Sequence, residues 1–231
     1  MARLILLRRR QVLVPTLLGW AVLLLVLAIA AVVAVRSAYS FLAVTRPVEA
    51  RLLVIEGWMP NEQLDQALAV YRAGSFEHVF TTGGPISEFE TPSAPSYAER
   101  ARNYLVAQGL PAERVVAVPA PASAQDRSFL NAVTLRDFLA KSGLRADSLD
   151  VVSVGAHCRR SWRVYQLAFG DGTRVGMIAV RPGEYDPEAW WRTSAGAKDV
   201  IGEWIGWAWT VLFFHPGARG SLEEHWGPAA P

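Results

Sequence analysis

The chain begins with one long apolar segment and continues as short apolar runs that alternate with amphipathic stretches. Residues 12–35 carry no charged side chain, and only Pro15, Thr16 and Gly19 interrupt the apolar pattern. Short apolar runs that end at a turn predict buried strands, and apolar residues spaced three and four apart predict amphipathic helices. The pattern therefore predicts one membrane-type helix followed by a domain of alternating strands and helices.

The alternation after residue 50 predicts a sheet with helices on its faces. Predicted strands lie at residues 51–55, 78–82, 115–118, 150–154 and 175–180. Predicted helices lie at residues 61–73, 97–108 and 128–141, and a further amphipathic segment lies at 162–169. Strands and helices that alternate at this spacing form parallel strands joined by right-handed crossovers. We therefore expect a Rossmann-like three-layer α/β sandwich with a mostly parallel sheet.

The apolar segment at residues 12–35 predicts a transmembrane helix. At ~1.5 Å rise per residue it exceeds the ~30 Å thickness of the hydrocarbon core. A cleaved signal peptide is the alternative, because small residues near positions 30–34 and 37–40 resemble a cleavage site. The apolar region of a signal peptide is shorter, at about 7–15 residues, which favours a retained anchor in the lipid bilayer.

The charges beside this segment predict its orientation. Arg8, Arg9 and Arg10 precede it and only Arg36 follows closely, so the positive-inside rule keeps the N-terminus in the cytoplasm. We therefore expect a single-pass membrane protein whose domain lies on the extracytoplasmic side. The predicted order is a cytoplasmic N-terminus (1–11), a transmembrane helix (12–35), a linker (36–48), an α/β domain (49–185) and a Trp-rich C-terminal helix and tail (186–231).

Composition adds limits on the class of partner. Hydrophobic residues make up 52% of the 231-residue chain, which fits a membrane segment. Six of the 23 basic residues and no acidic ones lie in residues 1–46, which leaves 17 basic against 21 acidic residues in the remainder. A mildly acidic domain gives no support to nucleic-acid binding. Cys158 is the single cysteine, so no intramolecular disulfide can form.

One loop and the C-terminal segment carry further predictions. The polar stretch at residues 86–95 is longer than a typical strand-to-helix loop and predicts a lid or binding loop. The segment 204–214 is apolar and rich in tryptophan but too short to span a bilayer. It is interpreted as a helix packed on the sheet, with a segment resting on the membrane surface as the alternative.

A polar cluster follows the predicted strand at 150–154. The small residues Gly155 and Ala156 make a turn, and His157, Arg159 and Arg160 come next. In an open α/β sheet, ligands bind at the carboxyl ends of the strands. Backbone N–H groups of a new helix, an imidazole and guanidinium groups at one place suit an anion.

Polar or glycine residues also follow three other predicted strands at the same edge. Each has a structural explanation, since glycines serve turns and Asp126 or Ser128 can cap a helix. Their joint placement favours a polar ligand site. The residues of this predicted site are Glu56, Gly57, Gly83, Gly84, Asp126, Arg127, Ser128, Asn131, His157, Arg159 and Arg160.

Common signatures of catalysis and cofactor binding are missing from the sequence. There is no Gly-x-Gly-x-x-Gly after the first strand, no Walker-type loop and no Gly-x-Ser-x-Gly elbow. The four histidines show no paired spacing, so no metal site is predicted, and no cofactor is identified. Cys158 follows His157 directly, and neighbours on a helix point apart, which disfavours a Cys–His dyad.

Four motifs together resemble the YdcF/SanA/ElyC-like family of bacterial envelope proteins. They are Leu-Val-Ile-Glu-Gly-Trp at 53–58, Thr-Thr-Gly-Gly-Pro at 81–85, Asp-Arg-Ser-Phe-Leu-Asn-Ala at 126–132 and Gly-Ala-His-Cys-Arg-Arg-Ser at 155–161. The resemblance covers residues 50–180. It implies a Rossmann-like sheet with a polar pocket at its edge and a role in envelope or peptidoglycan precursor metabolism, and a cytoplasmic member looks like a binder of S-adenosylmethionine. Family members often carry a Glu-Asn pair where this chain has Leu130-Asn131, so roles that need the glutamate do not carry over.

Three functions are consistent with the sequence. The first is the binding or processing of an anionic small molecule or lipid-linked, prenyl-phosphate precursor, with His157 and Glu56 as acid–base residues. In it Arg127 and Arg160 hold the anion, Asn131 orients the ligand, and the glycines let backbone approach. The second is a binding module without turnover, and the third is a structural or interaction protein whose tryptophan tail docks on the membrane or on another envelope protein.

Overall fold

The computed structural model describes residues 13–86, 94–123 and 126–225, and the chain forms two compact units that meet between Ser37 and Ala38. The predicted lid at 86–95 and the predicted cytoplasmic segment at 1–11 therefore fall wholly or mostly outside the described residues. The elements are α1 (Leu17–Leu42), β1 (Leu52–Glu56), α2 (Asn61–Ala73), β2 (His78–Gly83), α3 (Tyr97–Ala107), β3 (Val115–Pro119), α4 (Arg127–Lys141), β4 (Ser148–Val154), α5 (Cys158–Phe169), β5 (Arg174–Val180) and α6 (Ser194–Leu212).

The five strands form one all-parallel sheet in the order β3-β2-β1-β4-β5. Each pair of neighbouring strands is parallel because a helix connects consecutive strands across a face of the sheet. This arrangement confirms the predicted Rossmann-like α/β class.

Two apolar clusters, one on each face of the sheet, explain the three layers. Alternate residues of β1 point to opposite faces, so Leu52 and Val54 join the α4–α5 cluster while Leu53 and Ile55 join the α2–α3 cluster. All five residues of β1 are buried, as expected for a central parallel strand covered on both faces.

Helix α5 begins four residues before the amphipathic segment predicted at 162–169. It starts at Cys158, and its buried side includes Ser161 and Val164. Ser161 is buried because its hydroxyl donates a hydrogen bond to Glu56. Because this residue on the inner face is polar, the apolar pattern did not predict the first turn of the helix.

Helix α1 is long and apolar enough to span a membrane. Its residues up to position 35 are almost entirely apolar, and nearly all of those described in the first unit are exposed. Apolar side chains in this number and exposure are expected where lipid replaces water as the surroundings.

The segment 36–48, predicted as a linker, is instead part of the second unit from residue 38 onward. Arg46 pairs with Met177 at the outer edge of β5, with N–H···O distances of 2.7 and 3.1 Å. The buried Asp150 carboxylate accepts the backbone N–H of Val48 at 2.8 Å. The segment packs here because it hydrogen-bonds to the exposed edge strand of the sheet. A sequence pattern does not reveal this pairing.

Helix α6 packs on α5 and on the last turn of α1 rather than lying across the sheet. Trp204 stacks on Phe41 with 4.7 Å between ring centroids, and Trp207 meets the same ring edge-on. The opposite side of the helix exposes a set of large apolar residues, called here the α6 stripe: Ile201, Ile205, Trp209, Leu212 and Phe213. The predicted tail 186–231 thus supplies a packed element of the α/β unit.

Candidate functional site

The strand order reverses between β1 and β4, and this reversal opens a crevice at their carboxyl ends. β1 leads outward to β2 and β3, whereas β4 leads to β5 on the other side. Glu56 is the last residue of β1, and Gly155–His157 forms a turn of 3-10 helix directly after β4. Crevices at such reversals are the usual ligand sites of open α/β sheets.

His157 lines this crevice, and its neighbours include Glu203, Ser128 and Glu56. Its Nδ1 lies 2.8 Å from Glu203 Oε1, and its Nε2 lies 3.5 Å from Ser128 Oγ and 3.7 Å from Glu56 Oε2. Gly155 begins the turn with φ 49°, a left-handed conformation that favours glycine, and so sets the direction of the imidazole. Each nitrogen of the ring therefore faces a different partner.

Arg160 and Glu203 form a two-pronged ion pair beside the imidazole. The Arg160 Nε and Nη2 atoms donate to the two carboxylate oxygens of Glu203 at 2.8 and 2.9 Å. Burial acts to raise the pKa of Glu203, but the hydrogen bonds from Arg160 and His157 outweigh it and hold the pKa well below its ordinary value. Glu203 is therefore an ionised carboxylate at neutral pH.

This ionisation decides the proton arrangement on His157. A carboxylate can only accept, so the 2.8 Å contact is a hydrogen bond when Nδ1 carries the hydrogen. Arg160 Nη2 lies 3.0 Å from the same Nδ1, and both groups donate to Glu203 Oε1. The Nε2 lone pair of the neutral ring then faces Ser128.

Glu56 lies behind the imidazole and is completely buried. Ser153 Oγ donates to one of its carboxylate oxygens, and Ser161 Oγ donates to the other at 2.9 Å. Trp58 Nε1 adds a third donor at 3.3 Å. Three donors occupy the carboxylate and Glu56 does not line the cleft, so its role as an acid–base residue stays a prediction from the sequence.

A cleft of about 900 Å³ opens in front of His157. Its walls come from four strand ends and from α6. Its lining residues are Trp58, Gly83, Gly84, Pro85, Ile86, Tyr97, Pro121, Ala122, Ser123, Asp126, Arg127, Ser128, Leu130, Asn131, His157, Arg160, Asp199 and Glu203. The cleft holds three carboxylates and two guanidinium groups, so it is less cationic than the sequence suggested.

The predicted glycines have different roles. Gly83 (φ 151°) and Gly84 line the cleft, and a Cβ on Gly83 would lie 2.7 Å from Tyr97 Cβ. Gly57 does not line it, because its Cα packs against backbone and a Cβ would lie 2.5 Å from the Tyr97 carbonyl oxygen. Gly57 thus serves the packing of α3 on the sheet rather than the approach of a ligand.

The predicted arginines also separate. Arg127 is exposed at the start of α4 and lines the cleft, as does the buried Asn131 one turn later. Arg159 is placed elsewhere: its Nε donates to the Phe41 carbonyl and its guanidinium lies 3.8 Å from the Phe41 ring centroid. The prediction that Arg159 binds ligand is therefore wrong for this arrangement, because neighbours on a helix diverge and Arg159 follows the side that faces α1.

Asp126 precedes α4 in a left-handed conformation (φ 47°), and within the described part of the chain its side chain makes no capping hydrogen bond. Burial raises the pKa of its carboxyl, and the nearby Arg160 guanidinium offsets part of that rise. Ser128 is the second residue of the helix and points to His157. Within the described residues, therefore, neither Asp126 nor Ser128 caps α4 with its side chain.

A smaller groove of about 240 Å³ adjoins the cleft. It shares Asp126, Ser128 and Arg160 with the cleft, and its other walls are mostly apolar. Those walls are Phe129, Val164, Ile205, Gly206, Trp209, Thr210 and Phe214. A polar cleft and an apolar groove thus meet at Ser128.

Cys158 is buried next to His157, and burial raises the pKa of its thiol, with the Glu56 carboxylate adding to the rise. A thiol in this setting stays protonated and unreactive. Across the described residues, no group of three or more His, Cys, Asp or Glu side chains is arranged to hold a metal ion.

Comparisons of the chain with protein-family models, curated proteins and solved structures found no match. The chemistry of the site is therefore argued from its geometry.

Among the cleft residues that were not predicted are Glu203, Asp199 and Trp58. Asp199 and Glu203 lie on α6, beyond the segment taken as the α/β domain. Two acidic residues four apart on a tryptophan-rich helix could have indicated a polar site, because a charge buried among aromatic side chains seldom lacks a partner. Trp58 lies two residues after Glu56, and its indole N–H was an available donor for that carboxylate.

Proposed function

We propose that the protein is a membrane-anchored envelope protein of the YdcF/SanA/ElyC type that binds or processes an amphipathic, anionic ligand such as a lipid-linked precursor of the cell envelope. The observation that carries this proposal is the junction of the polar cleft with the apolar groove at Asp126, Ser128 and Arg160. A ligand with a polar head and an apolar chain matches both cavities at once.

The charges of the cleft support a head group with a single anionic function. Arg160 is already neutralised by Glu203, and Arg127 is the exposed guanidinium at the start of α4. A phosphate or carboxylate beside Arg127 also lies near the positive end of the α4 dipole. A polyanion would meet Asp126 and Asp199 and is disfavoured by repulsion.

The apolar groove supports an acyl or prenyl chain as the other end of the ligand. Val164, Trp209 and Phe214 form its walls together with Ile205, which belongs to the exposed α6 stripe. Burial of apolar chain contributes about 0.8 kcal/mol per methylene group. A few methylene groups in this groove therefore add substantially to the affinity of the head group.

The anchor supports a location at the membrane. Only Arg36 and Ser37 separate the predicted span from Ala38, which is already buried in the α/β unit. Chain length alone therefore keeps this unit close to the bilayer surface. The arginines at positions 8–10 support a cytoplasmic N-terminus and a periplasmic domain in the inner membrane.

Ligand-induced thermal stabilisation of the full-length chain in detergent micelles tests the proposal. The probes are inorganic phosphate, a sugar phosphate, S-adenosylmethionine, a short-chain prenyl phosphate and the matching prenol. We expect the prenyl phosphate to raise Tm more than phosphate and prenol together, because it fills both cavities. At a concentration 100 times Kd the stabilisation is about 2.7 kcal/mol.

Variants connect the shift to each cavity. Arg127→Ala is expected to abolish the gain from the phosphate group, and Trp209→Ala the gain from the chain. Arg145→Ala is the matched control, because Arg145 is an exposed arginine that pairs with Asp147 before β4, at the opposite edge of the sheet. Equal shifts with the prenyl phosphate and the prenol, or no shift with any probe, would contradict the proposal.

A single engineered cysteine tests the orientation. Cys158 is buried, so Ser142→Cys at the exposed end of α4 supplies the accessible thiol. Labelling of intact spheroplasts by a membrane-impermeant maleimide is expected. Labelling only after lysis would place the domain in the cytoplasm.

A further inference from the structure

Ser128, His157 and Glu203 come from three different elements and lie in a line at the junction of the two cavities. Ser128 Oγ is 3.5 Å from His157 Nε2, and His157 Nδ1 is 2.8 Å from Glu203 Oε1. A hydroxyl, an imidazole and a carboxylate in this order are the parts of a nucleophilic triad. The hydroxyl-to-imidazole distance is long, as is common before substrate binds.

We propose that Ser128 is a nucleophile, activated by His157 and positioned through Glu203, that hydrolyses an ester carried by the ligand of the cleft. The identity of the ligand in this inference rests on the proposed function, but the reaction itself does not. The sequence predicted acid–base residues at this site but no nucleophile.

The neighbouring nucleophiles are unsuitable. Ser153 and Ser161 are completely buried and donate to Glu56, and Cys158 is completely buried as well. Ser128 is half-buried and lines both the cleft and the groove. It therefore has the access to substrate that the other three groups lack.

The proton arrangement derived for the site supports the base role of His157. Glu203 holds the hydrogen on Nδ1, which leaves the Nε2 lone pair for the Ser128 hydroxyl. The Arg160 pair fixes the Glu203 carboxylate, so the imidazole cannot easily rotate away. Glu203 acts through His157 and is a positioning residue.

The first turn of α4 places backbone N–H groups next to Ser128. Among the described residues, the helix ladder begins with the bond from Leu130 to the Asp126 carbonyl, and the N–H groups of Arg127, Ser128 and Phe129 precede it. The first N–H groups of a helix have no acceptor within the helix. Donors beside a nucleophile stabilise a tetrahedral intermediate.

The reaction balances in two steps. Ser128 Oγ forms a bond to the carbonyl carbon while its proton passes to His157 Nε2, and the alcohol leaves with that proton when the C–O bond breaks. Water then attacks the acyl–serine ester and gives a proton to Nε2, and the acid leaves as the Oγ–C bond breaks and Oγ recovers the proton. The sum is ester plus water to acid plus alcohol.

A fluorophosphonate probe tests the proposal on the full-length chain in micelles. The probe forms an Oγ–P bond with an activated serine and releases fluoride, while the proton passes through His157 to solvent. We expect one adduct by intact mass, located at Ser128 by peptide fragmentation. His157→Ala is expected to slow labelling about 100-fold.

Matched variants separate reactivity from folding. Ser128→Ala is expected to lose the adduct, whereas Ser142→Ala, a serine at the other end of α4 whose hydroxyl donates to the Phe138 carbonyl, is expected to label like the wild type. Glu203→Gln is expected to slow labelling, and Glu203→Asp, which keeps a carboxylate, to recover part of the rate. A merely structural role for Glu203 would give no such difference between the two variants.

The result of the labelling experiment is independent of the result of the ligand-stabilisation experiment. Absence of an adduct at Ser128 in folded wild-type protein, or labelling of another serine at the same rate, overturns the triad. If prenyl phosphate still stabilises the protein, the proposed binding function survives that result. An adduct at Ser128 without stabilisation by any probe supports the triad and removes the proposed ligand.

Discussion

Two glutamates lie on either side of His157, one at the end of β1 and one on α6, and their surroundings differ. Glu56 is completely buried and accepts hydrogen bonds from two serine hydroxyls and an indole. Glu203 sits at the edge of the cleft, paired with the Arg160 guanidinium and in direct contact with the imidazole. One carboxylate is held by neutral donors and the other by charge.

The two glutamates are therefore expected to have different roles. Glu56 ties β1 to β4 and α5 through Ser153 and Ser161, so its loss is expected to act on the fold. Glu203 ties α6 to the imidazole, so its loss is expected to act on the proton arrangement of His157. Each of the following substitutions is aimed at one side of this comparison.

The largest loss of stability is expected for Glu56→Ala. The change leaves the hydroxyls of Ser153 and Ser161 without their buried acceptor and opens a cavity, at a cost of about 3–5 kcal/mol. Glu56→Gln keeps one oxygen acceptor, and a serine hydroxyl can accept from the new amide, so about 1 kcal/mol is expected. Urea unfolding of the full chain in micelles measures both, and a similar small loss in the two variants would show that Glu56 is not a structural tie.

Glu203→Gln is expected to cost less at neutral pH, about 2 kcal/mol, by leaving Arg160 without its counter-ion. The loss should depend on pH. The folded pKa of Glu203 lies below its unfolded value near 4.5, so its stabilisation is complete above that value and declines as pH falls toward the folded pKa.

The difference in unfolding free energy between the wild type and Glu203→Gln should therefore shrink below pH ~4.5, by up to about 1.4 kcal/mol per pH unit. Unfolding curves of the two proteins at pH 7 and pH 3.5 measure it. Taking the difference removes carboxylates common to both proteins. A difference that stays constant or grows in acid would contradict the ionised pair.

The smallest effect on stability is expected for Arg127→Ala. Its side chain is exposed, so the change should stay within about 0.5 kcal/mol. Affinity for a phosphate-bearing probe should nevertheless fall about tenfold or more, since a charge-assisted hydrogen bond contributes about 1.5–3 kcal/mol. Calorimetric titration with the prenyl phosphate measures it, and unchanged affinity would remove Arg127 from the site.

The comparison also shows what the sequence could predict. Glu56 and His157 follow buried strands, and the carboxyl ends of parallel strands must meet at one edge. The alternation of strands and helices follows from local patterns, so the α/β class with a parallel sheet was predictable, whereas the order of the strands was not predicted. The glycine turn at Gly83-Gly84 and Arg127 at the start of α4 were predictable for the same reason.

Glu203 was not predictable by that route, because no local pattern states where α6 packs. Its place depends on the end of α1, where Phe41 stacks on Trp204. Arg159 was misplaced for a related reason: adjacent arginines on α5 diverge, and only the packing of Phe41 decides which one leaves the cleft. Side-chain direction across distant elements requires the structure.

The tautomer of His157 tests the central claim most directly. Long-range ¹H–¹⁵N spectra of histidine-labelled full-length protein, at a pH where the imidazole is neutral, report which nitrogen carries the hydrogen. The signals of His157 are those lost in His157→Gln. The account predicts hydrogen on Nδ1 in the wild type and a mixture of tautomers in Glu203→Ala. Hydrogen on Nε2 in the wild type would contradict it, because Nε2 could then neither accept the Ser128 proton nor leave Nδ1 to donate to Glu203.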